Sequence, residues 1–452
     1  MLFERIKSEG IAHYSYIIGD QNDAVVIDPR RDCQIYQDLA DRHDMNIRQV
    51  LETHRNEDYI IGSVELKSST GAEIWHADGQ MDYEYGNAVE DGDSWDVGRL
   101  KIEALHTPGH TPGSMSYLLF DPDGDPWMIF TGDVLFAGDV GRVDLLGMDR
   151  AEELAEQLYD SIFEKIISLG DEVIVCPAHG SGSVCGSSIA EREWTTIGLE
   201  RKHNPKLQVN SKEEFIDRVK EKLERPPYFR KMEKLNLEGA PLLKDQTSID
   251  YLSASEFKKK AEDAVVLDTR KEVGFGASHI PEALSIWLNG VPNFAGWFLP
   301  YDDPILLVDE SGDPTQAVKF LKRIGYDNIE GCLAGGMLSW NMEGHESESI
   351  DTVNVHEVCN ILDEDELAFL LDVRPQKEIK KKGEIEGAHE LHLTQLLDNL
   401  GEIPEDRTIY IFCGSGLRSM TAASLLKRNG WKDLHVVLGG LSGWSSTTCP
   451  VK

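Results

Sequence analysis

The residues able to do chemistry fall at the ends of apolar runs. Arg48-Gln-Val-Leu-Glu-Thr53 reads as a strand that delivers His54, with Asp58 four residues on and Gly62 closing the loop. Three later turns carry further candidates: Thr107-Pro-Gly-His110-Thr-Pro-Gly, Phe130-Thr-Gly-Asp133 and Cys176-Pro-Ala-His179-Gly180. Imidazoles and carboxylates in such turns are metal-ligand candidates, because a rigid strand fixes where the turn presents its side chain. Near the other end, the strand-like Ile409-Tyr-Ile-Phe leads to Cys413. Gly414, Ser415, Gly416, Leu417, Arg418 and Ser419 then open a helix with apolar Ala422, Leu425 and Leu426. Loop N–H groups, a helix N-terminus and Arg418 all favour an anion there. A Cys413 thiolate would be stabilised.

The elements that must position these residues alternate. Strand-like runs at 23–29, 100–105, 114–120, 127–130 and 172–176 interleave with helix-like segments at 34–44 and 150–168, an α/β layered pattern. Ser211-Lys-Glu-Glu214 has the form of a capping box. Phe215, Val219 and Leu223 then recur at helical spacing, which predicts a helix stopped by Pro226-Pro227 and followed by a connector to Leu243. In the second half, Ala264-Val-Val-Leu-Asp-Thr-Arg270 recurs as Ala368-Phe-Leu-Leu-Asp-Val-Arg374, and Gly335-Gly336 with Trp340 recurs as Gly439-Gly440 with Trp444. Such spacing suits two tandem small domains rather than a solenoid.

Length and composition agree. A chain of 452 residues suggests about three domains. At 40% hydrophobic and 28% charged it is ordinary globular composition, with no apolar run long enough for a bilayer and no apolar segment after Met1 that would make a signal peptide. A cytoplasmic protein without a membrane partner is expected. A formal charge of −35 repels phosphate backbones, so nucleic acid is not expected as a partner either. Seven scattered cysteines without a CxxC pair point to reduced thiols rather than a disulfide framework.

Thr53-His54-Arg55-Asn56-Glu57-Asp58-Tyr59-Ile60-Ile61-Gly62 resembles the first metal loop of the metallo-β-lactamase superfamily, Thr-His-x-His-x-Asp-His-x-x-Gly, with Asn56 and Tyr59 standing where two imidazoles belong. The other three turns follow in the superfamily's order. Two-metal hydrolysis needs both metal sites, and here the second keeps only Asp58 and His179 besides the shared Asp133. Two imidazoles and a carboxylate survive, the ligand set of the non-haem Fe(II) facial triad. The superfamily's persulfide dioxygenases use such a set. The resemblance implies that His54, His110 and Asp133 bind one Fe(II) per chain, zinc being the alternative, and that Asp58 and His179 orient ligands or substrate. Gly141-Arg142-Val143-Asp144 is similar to a Gly-Arg-Thr-Asp stretch of those enzymes, so Arg142 either holds an anionic group or pairs with Asp144. Cys185, in the exposed-looking Gly180-Ser-Gly-Ser-Val-Cys185-Gly186, either faces the substrate or is an inert buried thiol.

The repeated second half resembles tandem rhodanese domains. The second copy carries Cys413. In the first, Asp309 occupies the Cys position with no Arg after it, so that copy is expected to be silent. Cys332 and Cys359 read as structural, and Cys449 has no assigned role. The expected architecture is α/β and multidomain. An αββα metallo-β-lactamase-like sandwich with a helical extension spans 1–245, a silent rhodanese-like domain 246–345 and an active one 350–452. This order resembles the CstB-type persulfide dioxygenase–rhodanese fusions. It implies oxidation of a low-molecular-weight thiol persulfide (glutathione, coenzyme A or another) by O₂ to sulfite, sulfur transfer through Cys413 to give thiosulfate, and a homo-oligomer. A zinc thioester hydrolase of the glyoxalase II type and a non-catalytic sulfur carrier remain as alternatives.

Overall fold

The structure, a computed structural model, describes residues 1–186, 188–243, 248–364, 368–444 and 446–447. The expected 245/246 junction and Cys449 lie outside these residues, as does the side chain of Cys359. The chain divides into two compact units, an N-terminal one to Gln246 and a C-terminal one from Thr247, with only Lys322–Gly325 of the later chain counted in the first.

The N-terminal unit is built on two six-stranded sheets. One runs Leu2–Ser8, His13–Asp20, Asp23–Ile27, Asn46–Leu51, Glu73–His76 and Asn87–Ala88 in spatial order. The other runs Thr195–Thr196, Ile174–Pro177, Pro126–Gly132, Met115–Phe120, Leu100–His106 and Ser94–Val97. Alternation along each strand splits its apolar side chains between two faces. Tyr16, Ile18, Val25 and Ile27 point into the core between the sheets, where they meet Ile102, Tyr117, Leu119 and Phe130. Ile17, Ala24 and Val26 point outward, against Tyr36 and Ala40 of the helix Gln34–Arg42 and Leu66 of the helix Ser63–Thr70. The second sheet's outer face carries Ile129 and Val175 against Leu154, Leu158, Phe215 and Ile216. Helices cover both outer faces, giving the αββα sandwich expected from the sequence.

The predicted helix over 150–168 is α-helical from Ala151 to Asp160 and then passes through a π-helical turn, Ser161–Ile166. There Ser161 Oγ donates to Pro108 O at 2.7 Å, tying the helix to the His110 turn. The extension differs from expectation in three ways. Ser211 caps the helix Lys212–Val219 by accepting the Glu214 N–H, but the Glu214 carboxylate accepts from Asn210 N, so the reciprocal arm of a capping box is displaced by one residue. The helix ends at Val219, before Leu223 and well before Pro226. The Leu223 backbone is drawn into other bonds, its N–H to Asp144 and its carbonyl to Arg142. The expected connector contains a further helix, Phe229–Glu238, with Phe229, Met232 and Asn236 buried.

The C-terminal unit contains two five-stranded parallel sheets of identical topology. Their orders are Tyr251–Leu252, Ile329–Leu333, Ile305–Val308, Val265–Asp268, Leu284–Ser285, and Asp351–Asn354, Leu434–Leu438, Thr408–Phe412, Ala368–Asp372, His389–Glu390. The repeated Asp-x-Arg closes the strand equivalent in each copy. Arg270 Nη2 lies 2.7 Å from Asp268, and Arg374 Nη2 2.6 Å from Asp372. Arg374 and Asp372 are 1% and 0% exposed, so neither charge can be left alone. Replacing Arg374 by Met should cost about 3–5 kcal/mol in urea unfolding of the C-terminal unit, and adding Asp372→Asn should restore part of it.

Candidate metal centre and sulfur site

The first metal loop is held by polar side chains from neighbouring strand ends. Asp28, just past Asp23–Ile27, accepts both the Thr53 N–H (2.8 Å) and the Thr53 hydroxyl (2.7 Å). The Thr53 oxygen is then free to accept from His54 Nδ1, 2.9 Å away. That leaves the lone pair of neutral His54 on Nε2. His110 is set the same way: its Nδ1 donates to the Arg142 carbonyl at 3.0 Å, so Nε2 again carries the lone pair. The His110 turn lies flat on the helix Ala151–Asp160, because a Cβ on Gly109 would meet Leu158 Cα at 2.5 Å. Gly132, at φ +52, brings Asp133 to the site, and a Cβ there would strike Thr53 Oγ1 at 2.6 Å.

These side chains converge. Asp133 Oδ2 lies 3.8 Å from His54 Nε2 and 3.6 Å from His110 Nε2. All three atoms are buried without a hydrogen-bond partner. Three orphaned ligand atoms in one buried pocket are what a cation would satisfy, since leaving them bare is costly. The chain's own residues therefore fit a metal at this point.

His179 is arranged differently. Its Nδ1 lies 2.7 Å from Asp133 Oδ1 and its Nε2 2.9 Å from Asp58 Oδ2. Burial works against charge on this ring, but Asp133 and then Asp58 outweigh it and raise its pKa well above the usual value. Nδ1 is hydrogen-bonded to Asp133, whereas Nε2 faces Asp58 without a hydrogen bond, and Asp58, His179 and Cys185 make a further group able to hold a metal ion. Asp133 is pushed up by burial and pulled down more strongly by His179 and the other two imidazoles, so it stays ionised.

The lost imidazoles have been replaced by packing. Tyr59 is fully buried against His13, their ring centroids 4.1 Å apart. Asn56 Nδ2 turns back to the His54 carbonyl at 3.3 Å. Asn236, from the helix Phe229–Glu238, clamps the loop: Nδ2 donates to Asn56 O and Tyr59 O at 2.7 and 2.8 Å, and Oδ1 accepts from Ile61 N at 3.0 Å. Sequence reading missed Asn236 because it sits in a segment that looked like linker. It also missed Glu57, at a position the motif leaves free, which lies 3.1 Å from His110 Nε2.

Two other candidates are resolved by geometry. The Arg142 guanidinium is fully engaged, paired with both Asp144 oxygens at 2.7 and 2.9 Å and donating to the carbonyls of Val184, Leu223 and Glu224. It has no hand free for a substrate anion, and its carbonyl is what reaches the site. Around Cys185 the flanks Ser181, Gly182 and Val184 are exposed, as they look in sequence, but Cys185 itself is 0% exposed. Its Sγ lies 3.8 Å from Glu57 Oε1, within the metal pocket, and burial pushes its thiol well up.

The Cys413 loop forms a second site. Cys413 is buried, and its Sγ accepts the Gly416 N–H at 3.1 Å. Gly416 adopts φ +112 as it opens the helix Leu417–Arg428. The repeated Gly-Gly braces this loop from behind. Leu441 N and Ser442 N donate to the carbonyls of Cys413 and Gly414 at 2.9 and 3.2 Å, and Gly439 N to Ser415 O at 3.1 Å. A Cβ on Gly440 would collide with the Cys413 carbonyl. Arg418 pairs with Glu378 at 2.7 Å, a partner the sequence did not reveal, and Ser419 Oγ is buried without a partner. In the first copy Asp309 stands directly after Ile305–Val308, as Cys413 stands after Thr408–Phe412.

Residues 9–179 match the Metallo-beta-lactamase superfamily, and residues 253–343 and 354–447 the Rhodanese-like domain family. The mitochondrial persulfide dioxygenase ETHE1 of Bos taurus is 34% identical over 232 residues, 47% of this chain and 78% of its own length. The hydroxyacylglutathione hydrolase GloC of Haemophilus influenzae is 29% identical over 44% of this chain and 93% of its own length. A crystal structure named as a metallo-beta-lactamase from Staphylococcus aureus superposes with a TM-score of 0.65 at 31% identity, covering 74% of this chain and 98% of that one. The chain belongs to the metallo-beta-lactamase superfamily. It carries that superfamily's sandwich fused to two rhodanese-like domains, and its kinship to persulfide dioxygenase and its buried His, Asp and Cys groups place it among oxidoreductases and sulfurtransferases.

For a superfamily metal site of this kind, groups that orient the ligands typically matter about 10–100-fold in metal affinity. His179→Gln should weaken metal binding by about that factor, whereas Asp133→Ala should abolish it. Metal analysis after dialysis against a graded chelator series checks both.

Proposed function

We propose that this chain is a non-haem Fe(II) persulfide dioxygenase coupled to a sulfurtransferase, acting in sulfide detoxification. The observation that carries the reading is the convergence of His54 Nε2, His110 Nε2 and Asp133 Oδ2, all orphaned, beside a His179 whose Nδ1 is held by Asp133. Such a pocket suits a metal held by two imidazoles and a carboxylate. Fe(II) held there would supply the open coordination positions at which a persulfide sulfur and O₂ can meet. The 34% identity to a persulfide dioxygenase supports the same chemistry. The kinship to a hydroxyacylglutathione hydrolase favours a second reading, a zinc thioester hydrolase. The missing imidazoles at Asn56 and Tyr59 speak against it, because hydrolysis of that kind uses two metals.

The net reaction is RSSH + O₂ + H₂O → RSH + HSO₃⁻ + H⁺, in which the terminal sulfur gives four electrons to O₂. The chain's part is to hold and exclude. Asp28 and Thr53 fix the His54 ring, the Arg142 carbonyl fixes His110, and His179 fixes Asp133. The pocket's side chains are buried, which holds them in place. Cys185 is buried beside it, its Sγ 3.8 Å from Glu57 Oε1.

In the rhodanese half, the Cys413 thiolate attacks the terminal sulfur of a second RSSH. The S–S bond breaks, the RS⁻ leaving group takes a proton, and Cys413 becomes the persulfide. Sulfite then attacks that outer sulfur, thiosulfate leaves, and the thiolate is restored. The Gly416 N–H already on Sγ and the loop around it hold the anion through both steps. Joining both activities in one chain raises the effective concentration of sulfite near its acceptor. The chain is expected to assemble as a homo-oligomer and to act in the cytoplasm, and the copy bearing Asp309 transfers no sulfur.

Protein reconstituted with Fe(II) without air should consume O₂ on addition of glutathione or coenzyme A persulfide and release sulfite, and thiosulfate when sulfite and persulfide are both present. Cys413→Ser should remove thiosulfate formation and leave sulfite formation intact. Zinc in the purified protein with thiol release independent of O₂ would sink the assignment.

A further inference from the structure

Glu57 lies in the metal loop and is fully buried, yet no Lys or Arg pairs with it among the described residues. Its Oε1 is 3.1 Å from His110 Nε2, but the two atoms are not aligned as a hydrogen bond, and its Oε2 has no partner at all. A carboxylate buried this way needs a positive charge at short range. Ligands at right angles on an ion with bonds of about 2.1 Å stand about 3 Å apart. The Glu57–His110 separation matches that edge, and His54, Glu57 and His110 offer ligand atoms all within 4.8 Å of one another.

The neighbouring residue explains why Glu57 is needed. In the superfamily's loop the residue before it is an imidazole ligand, and here that position is Asn56, whose amide turns back to the His54 carbonyl. The geometry points to Glu57 as a fourth protein ligand, joining His54, His110 and Asp133 in a two-histidine, two-carboxylate site for a divalent cation. Two carboxylates balance the charge of such an ion, which three ligands with a single carboxylate do not. A six-coordinate ion held this way keeps two positions for substrates instead of three. The inference rests on the metal reading of this pocket and not on the reaction assigned to it.

Co(II) tests it without O₂ chemistry, because its visible bands report the ligand set. The full chain, freed of metal, is titrated with Co(II) against a competing chelator as wild type, Glu57→Gln and Asp133→Ala. Wild type should bind one Co(II). Glu57→Gln should bind 10–100-fold more weakly with shifted visible bands, and its metal-free form should melt no lower than wild type, since an unpaired buried charge has been removed. Wild-type Co(II) affinity and spectrum in Glu57→Gln, with binding lost in Asp133→Ala, would overturn the fourth ligand and leave the metal site standing. Failure of the wild type itself to bind Co(II) would overturn both.

Discussion

Uncompensated negative charge governs the N-terminal unit. Glu57, Asp58 and Asp133 are buried together, and His179 supplies one positive charge shared between two of them. Arg142, whose carbonyl meets His110, is already spent on Asp144. Desolvated carboxylates in such numbers persist only where something cationic joins them. Without a metal, protons take that place. Burial lowers His110, but Glu57 and then Asp133 outweigh it and lift the imidazole to about 9. Proton and metal compete for the same Nε2, so the pocket is poised for a cation.

Such a pocket works only if its loops cannot relax, and their rigidity comes from polar side chains that take no part in ligation. Asp28 fixes Thr53. Asp78 accepts from Arg55 N, the Thr111 hydroxyl and Gly113 N, so one carboxylate joins the His54 loop to the His110 turn. Asn236 fastens the other side of the loop from a helix far along the chain. Each of these groups satisfies backbone atoms that strand ends leave without partners, which is why strand-end loops can be both irregular and stiff.

What could be read in advance follows from the same physics. His54, His110, Asp133 and His179 were legible because each follows an apolar strand inside a Gly- or Pro-rich turn, a pattern local in sequence. The sandwich and the repeated α/β domains were legible because strand periodicity and the Asp-x-Arg ion pair are local too. Glu57 was not, because nothing in its neighbours distinguishes a buried acid from a solvated one. The helix Phe229–Glu238 was hidden by Pro226-Pro227 before it, and its Asn236 acts only through tertiary contact. The helix end at Val219 was missed for a related reason: Phe215, Val219 and Leu223 keep helical spacing, but Asp144 and Arg142 take the Leu223 backbone. Gly and Ser around Cys185 signalled exposure correctly for the loop and wrongly for the thiol, since one side chain can point inward from an exposed turn.

The two rhodanese-like copies separate what the fold requires from what the chemistry requires. Both keep the Asp-x-Arg pair and the Gly-Gly turn, which act on backbone and buried charge. They differ at the residue the loop presents. Asp309 is closed upon its own domain, accepting the Thr269 hydroxyl at 2.9 Å and Ser311 N–H at 2.8 Å. A carboxylate with its lone pairs engaged in this way neither carries sulfur nor receives an anion. Cys413, by contrast, takes the Gly416 N–H, and its loop carbonyls are drawn back by the turn Gly439–Ser442. The backbone that holds the carbonyls away is the one that leaves the Gly416 N–H for the sulfur. The loop residues therefore change while the scaffold is preserved, and both copies keep one topology.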